Sequence, residues 1–174
     1  METIMIVFNE VQRQTQKWIY FLILILLLVV IFGMVQQLVF GKPFGNPSVR
    51  NWVLPLFLII PLGLFIFLRL NVLHTEISEA GIQYKFSPYH SHTRSIQWNE
   101  IDKCYVRVYS PVKEFGGWGV RFSIRDGGKA LNVKGNYGIQ LELKNGEKLL
   151  IGTQKPEEAK QVLESLKSHQ DGTV

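Results

Sequence analysis

Cysteine is nearly missing from this chain, with Cys104 the single one in 174 residues. One thiol excludes an internal disulfide framework and any Cys-x-x-Cys metal or redox motif, and it fits a reducing compartment. Cys104 lies between Lys103 and Tyr105, with no base beside it in sequence. Strand alternation sets it opposite Tyr105 and Arg107, so it reads as an inward core thiol. Histidine is scarce as well. His90 and His92 are two apart and would share a strand face, and His74 is a third candidate ligand. No His-Glu-x-x-His accompanies them, and the expectation is a polar surface loop without a metal. No cofactor is expected. Gly116-Gly117-Trp118-Gly119 lacks the Gly-Lys-Ser/Thr of a phosphate loop and runs into a strand, which favours a bulge or a close approach of backbones.

Acidic residues are the minority charge, 14 against 19 Lys and Arg. The surplus is not gathered into a nucleic-acid groove. From His74 onward there are 14 basic and 12 acidic residues, and the remaining excess sits at Arg13, Lys17, Lys42, Arg50 and Arg69. Those five flank apolar runs, where basic residues set membrane orientation and meet anionic headgroups, so no nucleic-acid partner is expected.

Long apolar runs are what the sequence does have. Trp18 to Val35 contains eighteen consecutive residues without charge, enough to span a hydrocarbon core of about 30 Å. A second uncharged run extends from Asn51 to Leu68 and is closed by Arg69. A signal peptide would also place Arg13 and Lys17 before its apolar core. The first run is longer than such a core, no small-x-small cleavage pattern follows, and a second run comes soon after. Pro55 and Pro61 in the second run are tolerated better in a membrane helix than in a soluble one. The reading is an amphiphilic lead-in over 1–16 that forms a helical start in the interface, transmembrane helices over 17–40 and 52–73, and a loop over 41–51. Arg13, Lys17 and Arg69 on one side against Lys42 and Arg50 on the other favour both termini in the cytoplasm. Gln36 and Gln37, polar within the first span, read as a pair between helices.

After Arg69 the period shortens to two. Strands are expected at 75–78 and 81–86 around a turn at Glu79-Ala80-Gly81, then at 94–98, 103–109, 119–124, 129–133, 138–144 and 147–152, with a helical turn at 99–101. Asn145-Gly146 marks a hairpin, and Gly127-Gly128 and Gly135 through Gly138 also read as hairpin turns. Pro156, Glu157 and Glu158 open a C-terminal helix whose apolar stripe is Ala159, Val162, Leu163 and Leu166. This gives an α+β membrane protein: a transmembrane hairpin, then a barrel or sandwich of about seven antiparallel strands over 74–168 capped by a helix, and a tail over 169–174.

The segments Ser95-Ile96-Gln97-Trp98-Asn99-Glu100-Ile101, Phe115-Gly116-Gly117-Trp118-Gly119-Val120-Arg121 and Gly135-Asn136-Tyr137-Gly138-Ile139-Gln140-Leu141 carry a resemblance. So does Leu149 through Glu157. The chain resembles small bacterial membrane proteins whose soluble part is a pleckstrin-homology-like (PH-like) domain. The resemblance implies the fold, an inner-membrane location and a platform for proteins or lipids, and it supplies no catalytic residue. Phosphoinositide-binding members of that fold carry a basic cluster in the first hairpin loop, where this chain has the acidic Glu79-Ala80-Gly81.

The expected function is therefore a non-enzymatic, membrane-anchored module that binds a membrane-protein partner or assembles with its own copies. The rival readings are a subunit of a membrane enzyme or transporter complex, and a sensor of anionic lipid. For the last, Arg107, Arg121, Arg125, Lys129 and Lys134 form a candidate face around one hairpin, read against a plain solvated strand surface.

Overall fold

The computed structural model describes residues 6–45, 50–123 and 128–171. The chain divides into two compact units, one of Met1–Gln14 with Asn71–Val174 and one of Thr15–Leu70. The helical unit is thus an insertion in the β unit.

Within the helical unit, α1 (Lys17–Met34) runs into a π-helical turn at Val35–Val39, and a 3-10 turn at Leu54–Leu58 leads into α2 (Ile59–Leu70). The helices are antiparallel neighbours. Tyr20 meets Phe65 edge to face at 5.9 Å, and the Arg69 guanidinium stands 5.7 Å and 5.2 Å from those two rings. At the other end, Gln37 donates to the Asn51 side chain at 2.7 Å and accepts from the Phe44 N–H at 3.0 Å. Gln37 thus ties Phe44 and Asn51 together, where Gln36 and Gln37 were expected to pair between helices. Most of the apolar side chains of both helices are exposed.

Among the described residues, one helical run is long and apolar enough to cross a membrane by length and composition, the 23 residues Lys17–Val39. The second apolar run, Leu54–Leu70, is shorter than the expected 52–73. Residues 51–53 form a turn, and the chain leaves the helix at Asn71 because strand pairing starts at Val72.

Among the described residues the β unit holds nine strands, where about seven were expected. The first sheet is ordered β1 (Ile6–Arg13), β2 (Val72–Ser78), β3 (Gly81–Ser87), β4 (Arg94–Gln97). β1 corrects the reading of residues 1–16 as a helical lead-in. Its burial alternates, with Phe8, Glu10 and Gln12 inside and Asn9, Val11 and Arg13 outside, and it pairs antiparallel with β2 from Phe8↔Ile77 to Arg13↔Val72. The β unit consequently begins before the helices, not at residue 74. The β2–β3 turn is tight because Gly81 has φ +148° and a Cβ there would stand 2.2 Å from the Ile96 carbonyl oxygen.

After a 3-10 turn at Trp98–Glu100 comes the second sheet: β5 (Ile101–Val108), β6 (Gly119–Phe122), β7 (Lys129–Asn132), β8 (Tyr137–Leu143) and β9 (Lys148–Thr153), in the order β5-β8-β9-β7-β6. This sheet is mixed, because β7 and β9 run parallel. Gly135 through Gly138 is therefore a crossover and not the hairpin expected, since β9 lies between β7 and β8. The Gly127-Gly128 turn falls at the border of the described residues, with Gly127 outside them. Asn145-Gly146 does close a hairpin, with the Leu143 N–H donating to the Glu147 carbonyl at 2.8 Å.

The core lies between the sheets. Leu73, Ile77, Ile82 and Phe86 from one face Leu131, Ile139, Leu141 and Ile151 from the other, and Ala159 and Leu163 of α4 (Pro156–Asp171) join them. α4 packs against β1, β5 and β8.

Candidate functional site

A sheet buried on both faces needs apolar residues on both sides of its central strands, and β9 has them. Leu149 and Ile151 enter the main core, while Leu150 joins Ala130, Tyr109 and Phe115 in a second cluster on the outer face. A five-residue helix, α3 (Pro111–Phe115), supplies the cover. Such a helix forms because its ends are satisfied. Ser110 caps the first turn, Pro111 holds the first helical position, and the Ser110 N–H donates to the Glu114 carboxylate at 2.7 Å. At the other end Gly116 turns left-handed at φ +72°, and the Gly116 and Gly117 N–H groups return to the Val112 and Pro111 carbonyls at 3.0 Å and 2.9 Å. The glycine run thus ends a helix, where a bulge was expected.

Buried polar groups fasten this cover to the sheet. Asn132, fully buried, accepts from the Gly119 N–H at 2.8 Å and donates to the Tyr109 hydroxyl at 2.9 Å. Burial pushes the Tyr109 phenol up to about 12. Phe115 meets the Tyr109 ring edge to face at 6.0 Å.

Beside α3 the outer face opens into a cavity of about 520 Å³ whose lining includes Arg107, Lys113, Glu114, Gln140 and Lys148. Arg107 is firmly placed. Its Nε donates to the Gln140 side-chain oxygen at 3.1 Å, its Nη1 pairs with Glu114 at 2.9 Å, and its guanidinium lies 5.9 Å from the centre of the Tyr109 ring. Burial acts to raise the Glu114 carboxyl, but the Ser110 N–H and the Arg107 guanidinium outweigh it and hold the group below the ordinary carboxylate range.

The five basic residues expected to form one face are placed as follows. Arg107 and Lys129 line the cavity, although the Lys129 ammonium stands 6.0 Å from the centre of the Phe122 ring. Burial, and then Arg94, lowers the pKa of Lys129. Arg121 is exposed and donates to the Trp118 carbonyl at 3.0 Å. Lys134 is half-buried just beyond β7. Arg125 lies outside the described residues. Lys113 and Lys148 were missed. Alternation from Leu150 would have put Lys148 on the outer face, and the run Ser110-Pro111 to Glu114, followed by two glycines, is a capped helix written in sequence.

The histidines do not converge. His90 is buried, not a surface-loop residue: its Nδ1 accepts the Phe86 N–H at 3.3 Å and its ring meets Tyr84 edge to face at 5.7 Å. His74 and His92 are exposed. Among the described residues no three His, Cys, Asp or Glu side chains form a metal-sized group. Cys104 points inward, and burial raises its thiol to about 12.

A family model described as a family of unknown function, DUF6141, matches residues 1–169. The chain belongs to that family. The DUF6141 match begins before α1 and ends within α4, so it spans both the helical insertion and the β unit. No curated protein and no solved structure matches the chain.

Proposed function

We propose that this DUF6141 member is a non-enzymatic, membrane-anchored interaction module, in which α1 and α2 form a transmembrane hairpin and hold a PH-like domain at the inner membrane surface of a bacterial cell. The observation that carries the reading is the pairing of β1 with β2. One strand precedes the helical insertion and the other follows it, and paired strands must lie on the same side of a bilayer. The chain between them has to cross an even number of times. If Lys17–Val39 crosses, Leu54–Leu70 returns, and its 17 residues stand at the short end of what a span needs. Two facing sheets closed by a C-terminal helix support the PH-like assignment, with β1 and the parallel β7–β9 pair as departures from the seven-strand pattern. Tethering confines the domain to a thin layer, so that a weak contact with a membrane protein or a second copy gains from effective concentration.

The test joins two measurements on the full chain. Reporters at the two termini should read the same side, the cytoplasm, and cross-linking before mild-detergent purification should yield a stoichiometric partner or a self-assembly. Reporters on opposite sides, or a chain found entirely in the soluble fraction, overturn the anchor. A monomer without any cross-linked partner overturns the interaction module.

A further inference from the structure

We propose that the cavity beneath α3 binds a phosphate-bearing anion. This site stands apart from the anchoring function above and holds whether or not the helices cross a membrane. Four cationic side chains, Arg107, Lys113, Lys129 and Lys148, line the cavity, where Glu114 is the one carboxylate among the described residues. That carboxylate is already engaged by Arg107 and by the Ser110 N–H, so it does not cancel the remaining charge. Among the described residues the ammonium groups of Lys113 and Lys148 make no ion pair and no hydrogen bond.

Order matters as much as charge. Gln140, Glu114 and the Tyr109 ring fix Arg107 before any ligand arrives, so binding costs little further side-chain freedom. Its Nη2 has no partner among the described residues. A planar fork with two mobile point charges suits a group with three acceptor oxygens better than a carboxylate with two. The volume of about 520 Å³ is that of a small-molecule site. Phe115 gives the lining an apolar wall, which favours a phosphate ester with an apolar part over the bare ion. That ester is either a phospholipid headgroup or a soluble compound.

The experiment follows the acetylation rates of Lys113 and Lys148 by mass spectrometry in the full chain, held in dodecyl maltoside micelles that carry no phosphate. Lys85 and Lys160 serve as references. Glycerol phosphate is added in one arm, and phosphatidylglycerol is mixed into the micelles in the other. Several-fold slowing at Lys113 and Lys148 with unchanged references supports the site; slowing in the first arm assigns a soluble ester, and slowing in the second alone assigns a headgroup. Lys148→Glu, an exposed change that leaves the fold intact, should remove the protection of Lys113. Unchanged rates in both arms, equal slowing of all four lysines, or protection of Lys113 that survives Lys148→Glu overturns the proposal.

Discussion

The Thr153 hydroxyl donates to the Glu10 carboxylate at 2.7 Å, and the neighbouring Gln154 N–H donates to the other oxygen at 2.8 Å, joining residues more than 140 positions apart. Glu10→Leu removes the acceptor of both, although the Thr153 hydroxyl still accepts from the Lys155 N–H at 3.1 Å. The buried Thr153 donor left without its acceptor costs about 1–3 kcal/mol, so the variant should unfold at clearly lower denaturant in micelles. Phe8→Ala in the same strand should lose about 3–5 kcal/mol, because Phe8 is 1% exposed in the core between the sheets. A wild-type midpoint for either variant, read by near-ultraviolet dichroism, would remove β1 from the fold.

Asn132 and Tyr109 give a second prediction. Asn132→Leu orphans the Gly119 N–H and takes the buried donor from the Tyr109 hydroxyl, and should destabilise by about 2–3 kcal/mol. Tyr109→Phe should cost less, since it leaves one amide hydrogen unmatched. The Tyr109 pKa is raised from 10.0 to about 12, so the unfolded chain loses this proton first. The stabilisation is complete below pH 10 and falls away as the pH rises through about 12. In a spectrophotometric titration Tyr109→Phe should remove a phenolate that the folded wild type forms only as the pH approaches about 12.

How much of this was legible beforehand depends on what each element writes into its residues. The strands from β2 onward could be read because apolar residues alternate there and glycine-bearing turns separate them. β1 could not, since two of its inward positions are Glu10 and Gln12 while Val11 faces out, which inverts the usual pattern. α3 is too short to have a period, and its caps were its one signal. The parallel pairing of β7 with β9 is a matter of strand order, which periodicity does not encode. At the site, Arg107 and Lys129 were reachable from charge alone, whereas Lys113 and Lys148 come together only through the placement of α3 over the sheet.

His90 makes stability depend on acid. Burial, and then the charges of Lys129 and Arg94, lowers its pKa below the ordinary 6.5, and its Nδ1 must stay unprotonated to accept the Phe86 N–H. A lowered value means that the unfolded chain takes up the proton first, so this contribution is whole above pH 6.5 and is lost as the pH falls through the folded value. His90→Gln should flatten that part of the stability curve between pH 7 and pH 5. An unchanged slope would assign the dependence to other groups.

Cys104 should be silent toward thiol reagents in the native chain. Its thiol is 4% exposed and titrates at about 12, so the reactive thiolate is both rare and out of reach. Labelling by a maleimide should track global unfolding in denaturant. Fast labelling of the folded protein would mean that α4 opens away from β5.

The insertion of the helical unit between β1 and β2 has a consequence for synthesis. As the chain emerges from the ribosome, β1 comes out before β2 and waits while all of residues 15–70 are made. Its partner β2 is made only after α2, and if the helices cross a bilayer as proposed, the strands can pair only when both crossings are complete. Under the proposed crossing, a helix left untranslocated would keep β1 from its sheet and leave Phe8's place in the core unfilled. A chain in which β1 fails to dock leaves β2 as an open sheet edge, so that the finished first sheet would report correct insertion if the proposed anchor holds.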